Sequence, residues 1–284
     1  MTTVQAALAA ASARFKHSDS AQLDAQVLLA HLLDKNRSWL LAWSDHALTR
    51  EQQLAFESLC ARRERGEPVA YLLGRRGFWN LELEVSPAVL IPRPETELLV
   101  ELALRLGAAL VGKVADLGTG SGAVALALAS ERPDWQVYAT ELSAAAHSVA
   151  TANFRRAACA NLHLLAGSWC APLPGHDYLI IVSNPPYIDA ADPHLDRGDV
   201  RFEPRSALVA PQQGLADLGN IAREARDYLV PGGWLLLEHG WEQGPSVRGL
   251  LAGLGYTEIR THRDYADHER VTLGRRHQAG NHQP

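Results

Sequence analysis

The sequence predicts an α/β protein, with a doubly wound and mostly parallel sheet preceded by a small helical unit. Three features carry this expectation. Strand-like and helix-like runs alternate from Lys113 onward, a glycine-rich turn follows the first of those strands, and about the first 75 residues read as helices alone.

In the helical stretch, VQAALAAASARF is followed by QLDAQVLLAHLLD, where Leu23, Val27, Leu28 and Leu32 recur at helical spacing behind the candidate caps Asp19 and Ser20. A third helix is expected after Thr49. Thr49 and Gln52 have capping-box spacing, and Gly66 can close the run EQQLAFESLCARRER. From Gly77 the texture changes to FWNLELEV, where Leu81, Leu83 and Val85 alternate with Glu82 and Glu84, as in a half-exposed strand or hairpin. Pro87, Pro92 and Pro94 then stiffen a connector and start the helix ETELLVELALRL. Beyond it come KVADLG, AVALALASE, WQVYATE, SAAAHSVATANFRRA, NLHLLAG, YLIIVSN, GLADLGNIAREARDYL and GGWLLLEHG, with two closing strands around YTEIRTH and RVTLGRR. The expected division is a helical domain over 1–75, a hairpin linker over 76–91, an α/β domain over 92–277 and a disordered tail over 278–284.

Composition narrows the function classes. The 284 residues are 47% apolar and 21% charged, proportions of an ordinary globular protein. With 27 Lys plus Arg against 32 Asp plus Glu, the net charge of -5 builds in no general attraction to phosphate backbones. Cys60, Cys159 and Cys170 are scattered in no CxxC spacing, which points to a reducing compartment and away from a zinc cage. No stretch approaches the ~20 apolar residues of a membrane span. The expectation is a cytoplasmic protein with no metal site.

Two segments carry chemistry. The run Asp116-Leu-Gly118-Thr119-Gly120-Ser121-Gly122 ends a strand and opens a helix, where glycines let the backbone approach a ligand. Glu141, at the end of the next strand, can accept hydrogen bonds from both hydroxyls of a ribose. Taken alone, this pairing leaves NAD and S-adenosylmethionine equally open. The second segment is Asn184-Pro185-Pro186-Tyr187, which follows YLIIVS at the strand end where open sheets bind ligands. An amide or exocyclic amino nitrogen is a poor nucleophile because its lone pair is delocalised. Asn184 Oδ1 and the Pro185 carbonyl can each accept one N–H of a planar NH₂ group and hold that nitrogen in line with a methyl donor. Tyr187 offers a ring for stacking on the flat group.

With these segments in place, the chain resembles the bacterial peptide chain release factor glutamine methyltransferases, a branch of the class I S-adenosylmethionine-dependent methyltransferases. The likeness runs through GEPVAYLLG, VSPAVLIPRPETE, ADLGTGSGA, IVSNPPYI, RFEPRSALVA, LLLEHGWEQG and ERVTLGR. It implies a small helical domain, a β-hairpin linker and a Rossmann-like methyltransferase domain. The implied reaction is methylation of the side-chain amide of the Gln in the Gly-Gly-Gln loop of class I release factors. By motif, the implied cofactor contacts are Gly118, Thr119, Gly120, Ser121, Gly122, Glu141, Trp169 and Asn184, and the implied substrate contacts are Asn184, Pro185, Pro186 and Tyr187. Two positions depart from the family pattern: the ribose acid, usually Asp, is Glu141, and the residue before Trp169, also usually Asp, is Ser168.

Other positions are less specific. Arg93, Glu95 and Glu97 suit either a substrate entrance or an acidic helix start. Glu203, Glu238 and His239 follow the family pattern without an evident role, and the segment from Ile188 to Leu215 is expected as an ordered loop over the site. The competing enzyme reading is an amino-methyltransferase acting on adenine or cytosine of DNA or RNA, which would meet a flipped base with the same tetrapeptide. Residues 1–75 hold nine Lys or Arg and eight Asp or Glu, too nearly neutral for a nucleic-acid reader. A monomer with no stable nucleic-acid partner and no membrane contact is expected.

Overall fold

The structure is a computed structural model and describes residues 2–278, so most of the tail expected to be disordered lies outside the described residues. The chain divides into two compact units, one of Met1–Arg75 with Pro193–Phe202 and one of Arg76–Asp192 with Glu203–Pro284. Part of the segment expected as a loop over the site therefore belongs to the helical unit.

The helical unit is built from α1 (Val4–Arg14), α2 (Ala21–Leu33), α3 (Arg37–Ala42), α4 (Arg50–Glu64) and α5 (Val69–Leu73). Its core gathers Val4, Leu28, Leu29, Leu40, Phe56 and Cys60, the apolar positions of α1, α2, α3 and α4. The expected capping box is present, with Thr49 Oγ1 accepting from Gln52 N at 3.2 Å and Gln52 Oε1 accepting from Thr49 N at 2.9 Å. Ser20 precedes α2 but makes no side-chain cap. Its hydroxyl donates instead to Asp24 at 2.9 Å, and Asp24 accepts from the buried guanidinium of Arg63 at 2.8 Å. A second carboxylate, Asp199, takes another arm of Arg63 at 2.9 Å, so this buried cation is paired twice.

In the second unit, β1 (Arg75–Phe78) and β2 (Leu81–Glu84) form the expected hairpin, followed by the one-turn helix Pro94–Thr96 and α6 (Glu97–Leu106). Then β3 (Lys113–Leu117), α7 (Ala123–Glu131), β4 (Gln136–Glu141), α8 (Ala144–Ala157), β5 (Leu162–Ala166) and β6 (Tyr178–Ser183) alternate as predicted. The chain closes with α9 (Ala216–Tyr228), β7 (Leu229–Glu238), α10 (Gly244–Gly253), β8 (Tyr256–Arg263) and β9 (Glu269–Arg276).

Among the described residues the large sheet has seven strands in the order β5-β4-β3-β6-β7-β9-β8. Pairing is parallel from β5 to β7 and antiparallel where β9 joins β7 and β8. The chain runs outward from β3 through β4 to β5, then returns to place β6 on the other side of β3. The switch point is therefore at β3, and the crevice beyond its carboxyl end is where such sheets take ligands. One apolar cluster holds Leu99, Leu126, Leu128 and Trp135, and another holds Leu218, Ile221, Val247 and Leu251. Helix α7 is buried from Ala123 through Ala129, which its small and branched-chain composition permits. No described helix is long and apolar enough to cross a membrane.

Candidate active site

A cavity of about 510 Å³ opens at the carboxyl ends of β3, β4 and β6. The glycine loop after β3, Glu141 at the end of β4, Ser168 and Trp169 after β5, and Asn184, Pro185 and Pro186 after β6 all line it. Four loops far apart in sequence thus converge because their strands are neighbours.

The loop is shaped from beneath by Asp116. Its buried carboxyl accepts from the Thr119 hydroxyl at 2.6 Å and the Ala125 amide at 3.2 Å. Burial pushes this acid up to about 6, against those two hydrogen bonds. Gly118 has φ +71°, and a Cβ there would lie 2.9 Å from the Trp169 ring. Gly120 has φ +58° with nothing within 4 Å of a Cβ position, so the absent side chain leaves open space. Trp169 itself sits in the left-handed region at φ +44°, an uncommon conformation for a large side chain.

The loop's own amides discriminate between nucleotide cofactors. Gly118 and Thr119 donate to the Thr140 carbonyl at 2.9 and 3.0 Å, Gly120 to Glu141 Oε2 at 3.0 Å, and Gly122 to the Thr119 carbonyl at 2.8 Å. Four of these five backbone donors are committed within the protein, whereas a pyrophosphate cofactor needs them aimed at the ligand. The charged side chains lining the cavity are Asp116, Glu141, Asp217 and Arg93, three acids against one base. That balance disfavours a pyrophosphate and suits a sulfonium cation. Glu141 is braced by Gly120 N and by Ser143 N at 2.8 Å, and its two oxygens keep acceptor capacity for a ribose diol.

Asn184 donates from Nδ2 to Thr96 Oγ1 at 3.1 Å, which leaves Oδ1 as the acceptor for a ligand. Pro185 and Pro186 line the cavity beside it, but Tyr187 does not. The Tyr187 ring packs partly buried against the second apolar cluster, and its hydroxyl donates to Glu238 Oε1 at 3.3 Å. The ring expected to stack on the substrate thus packs against the core and does not line the cavity. Burial, with the Glu238 charge beside it, pushes the Tyr187 phenol up from its ordinary value.

The less specific positions also separate. Arg93 lines the cavity and donates to Glu203 Oε2 at 2.7 Å, while Glu97 accepts from the Trp79 amide at the hairpin tip at 2.8 Å. His239 is fully buried, with its ring bonded to Thr272 at 2.7 Å and to the Gly240 carbonyl at 2.8 Å, a structural placement. Sequence reasoning missed Thr96 and Asp217. Thr96 belongs to LIPRPETE, where a threonine before a helix reads simply as a terminus.

Residues 6–74 match the family model described as the PrmC N-terminal domain, and residues 94–198 match the methyltransferase small domain. A release factor glutamine methyltransferase of Vibrio cholerae is 54% identical over 275 residues, covering 96% of each chain. The chain belongs to the release factor glutamine methyltransferase family. The Escherichia coli member of this family is 50% identical over 268 residues, 94% of this chain and 97% of that one. The fold is also like that of a methyltransferase from Pyrococcus furiosus, with TM-score 0.51 and 19% identity over 76% of this chain and 97% of that one.

Proposed function

We propose that this enzyme transfers a methyl group from S-adenosylmethionine to the side-chain amide nitrogen of the glutamine in the Gly-Gly-Gln loop of class I release factors. The observation that carries the reading is the placement of Asn184, Pro185 and Pro186 in the same cavity as the glycine loop and Glu141.

When bound, S-adenosylmethionine supplies an electrophilic methyl carbon on a cationic sulfur and leaves as a neutral thioether. Glu141 accepts from its ribose hydroxyls, Trp169 and the Gly118–Gly122 loop wall the adenosine, and Ser168 offers a neutral hydrogen bond. Asn184 Oδ1 and the Pro185 carbonyl accept the two N–H groups of the substrate amide. This contact holds the nitrogen in place and draws its lone pair out of conjugation as the new N–C bond forms. No strong base is required, because the alkylated nitrogen sheds a proton readily. Pro186 stiffens the backbone behind the acceptor carbonyl. Tyr187 enters as an anchor, fastening the motif to the core through Glu238.

Residues 1–75 are assigned to recognition of the release factor and residues 92–277 to methyl transfer, by a monomer in the cytoplasm. Mass spectrometry of release factor and of an RNA duplex, each incubated with the enzyme and S-adenosylmethionine, tests the reading. The expected product is a single methyl on the loop glutamine. Methylated RNA with unmodified release factor would instead favour a nucleic-acid amino-methyltransferase.

A further inference from the structure

The segment LLLEHGWEQG holds a residue that the methyl-transfer reading leaves unused. Gln243 stands at the N-cap of α10, where short side chains normally bond the first helical amides, yet its side chain caps nothing there. It reaches away from the helix and makes three hydrogen bonds. Its Oε1 accepts from the Gly240 amide at 2.8 Å, while its Nε2 donates to the Tyr187 carbonyl at 2.9 Å and to the Gln213 carbonyl at 3.0 Å. One N–H on one side and two carbonyls on the other leave the amide a single satisfying orientation.

Both carbonyls belong to segments that build the cavity. Tyr187 ends the Asn184-Pro185-Pro186-Tyr187 motif, two residues beyond the Pro185 carbonyl assigned to the substrate. Gln213 lies in the turn before α9, whose Asp217 lines the same cavity. In that turn Gln212, Gln213 and Gly214 follow one another at φ +55°, +57° and +80°, and the left-handed region is costly for the two glutamines. A Cβ at Gly214 would overlap the Tyr187 carbonyl oxygen and stand 2.7 Å from Gln243 Nε2, so this corner closes only around a glycine. Just beyond it the two segments are laced together, with the Ile188 amide donating to the Leu208 carbonyl at 2.9 Å and the Ala210 amide to the Ile188 carbonyl at 3.1 Å.

We propose that Gln243 is a positioning residue, whose side-chain amide fastens the far end of the Asn184–Tyr187 motif to the turn before α9 and so holds Asn184 and the Pro185 carbonyl where methyl transfer requires them. The proposal rests on the reading of those two groups as acceptors for the substrate amide. A carboxamide suits the place because one planar group must there offer an acceptor and two donors. A carboxylate of the same shape would keep the bond from Gly240, lose both donors and set negative charge against two carbonyl oxygens.

Two measurements test this. In the first, kcat and KM on intact release factor are followed for the wild type, Gln243→Glu and Gln243→Leu. At pH ~8, Gln243→Glu should lower kcat by about 10–100-fold, with KM and S-adenosylmethionine affinity each within about threefold, because a small misplacement of the acceptors penalises the chemical step while Glu141 and the glycine loop stay in place. The deficit should shrink as pH falls toward ~5.5, where a protonated carboxyl regains an O–H donor for the Tyr187 carbonyl and the facing oxygens favour that form. Gln243→Leu should show the loss without the recovery. A general loss of stability would not be repaired by acid. Wild-type kcat in Gln243→Glu at pH ~8, or a deficit that ignores pH, would overturn the proposal. The second measurement needs no release factor: hydrogen exchange of the enzyme alone, read by mass spectrometry on peptides covering 184–192 and 206–216. Exchange there should be about tenfold faster in Gln243→Leu, with α7 unchanged. That result from an enzyme whose wild type leaves release factor unmethylated would count against the substrate reading and uphold the fastening of the motif by Gln243. Unchanged exchange in both peptides would sink the inference whatever the substrate.

Discussion

The Arg93 guanidinium donates to the Glu203 carboxylate at 2.7 Å, joining positions 110 residues apart at the rim of the cavity. The Glu203 side chain is fully buried and that of Arg93 is 32% exposed, so the carboxylate depends on its partner more than the reverse. Removing the cation leaves a buried charge with less compensation.

Arg93→Ala should accordingly destabilise the fold by about 2–4 kcal/mol, and Arg93→Ala with Glu203→Gln by less than Arg93→Ala alone. Urea unfolding of the two single variants and the double variant measures the coupling. Strictly additive losses would mean that the pair contributes nothing of its own.

Asn184→Ala should lower kcat by about 100-fold or more, because under the proposed function it deletes the acceptor for the nitrogen that becomes alkylated. Cofactor affinity should fall much less, since Glu141 and the glycine loop stay in place. Single-turnover methylation beside calorimetric titration with S-adenosylmethionine separates the two effects. A variant that turned over at the wild-type rate would leave the motif with no part in the chemistry.

Much of this site was legible because strand ends are legible. The apolar runs KVADLG, WQVYATE and YLIIVSN place Asp116, Glu141 and Asn184 at carboxyl ends, and parallel neighbours must then bring those ends together. Thr96 and Glu238 were not legible as partners of Asn184 and Tyr187. They lie 88 and 51 residues from them, and side-chain convergence over such distances belongs to tertiary packing. Helix α10 escaped for a local reason: GPSVRGLLAG carries three glycines and a proline, so its propensity is poor and its place is held by the buried Val247 and Leu251. The short α3 and α5 fell below the length at which helical periodicity can be read.

Ser168 lines the cavity beside Trp169, where the family resemblance implies a carboxylate in other members. A hydroxyl can offer only a neutral hydrogen bond, and a carboxylate makes a stronger one to an amino group. Ser168→Asp should therefore bind S-adenosylmethionine as tightly or up to about tenfold more tightly by calorimetry. Markedly weaker binding would place the adenine away from this residue.

Two buried acids make the fold sensitive to pH. Burial raises Asp116 to about 6 and Glu238 to about 7, above their ordinary carboxylate values. Across the interval between those ordinary values and the raised ones, the folded chain keeps protons that the unfolded chain has lost. Stability contributed by these groups is therefore greatest in mild acid and declines as pH rises toward about 7, by something on the order of a few kcal/mol. Denaturant midpoints over this range should fall with pH in the wild type and fall less in Glu238→Gln. A slope of the opposite sign would show that other groups dominate.

Recognition of the release factor should depend on the helical unit. A Gly-Gly-Gln loop offers little area, and binding energy from remote contacts is what can orient a small reacting group. The helical unit has its own core, yet it leaves Leu41, Trp43 and Leu54 exposed at 68%, 58% and 61% on α3, the residue after it, and α4. Exposed aromatic and aliphatic side chains of this kind serve as anchors in protein interfaces. Trp43→Ser with Leu54→Ser should raise KM for intact release factor by about tenfold, with thermal stability and S-adenosylmethionine affinity unchanged, while activity on a short Gly-Gly-Gln peptide, slow in both, stays as it was. Because the unit carries nine basic and eight acidic residues over 1–75, moderate salt should weaken recognition gently, without the steep dependence of phosphate-backbone binding. An unchanged KM on intact release factor would remove the docking role from these side chains, and a steep salt slope would point to a charged partner surface instead.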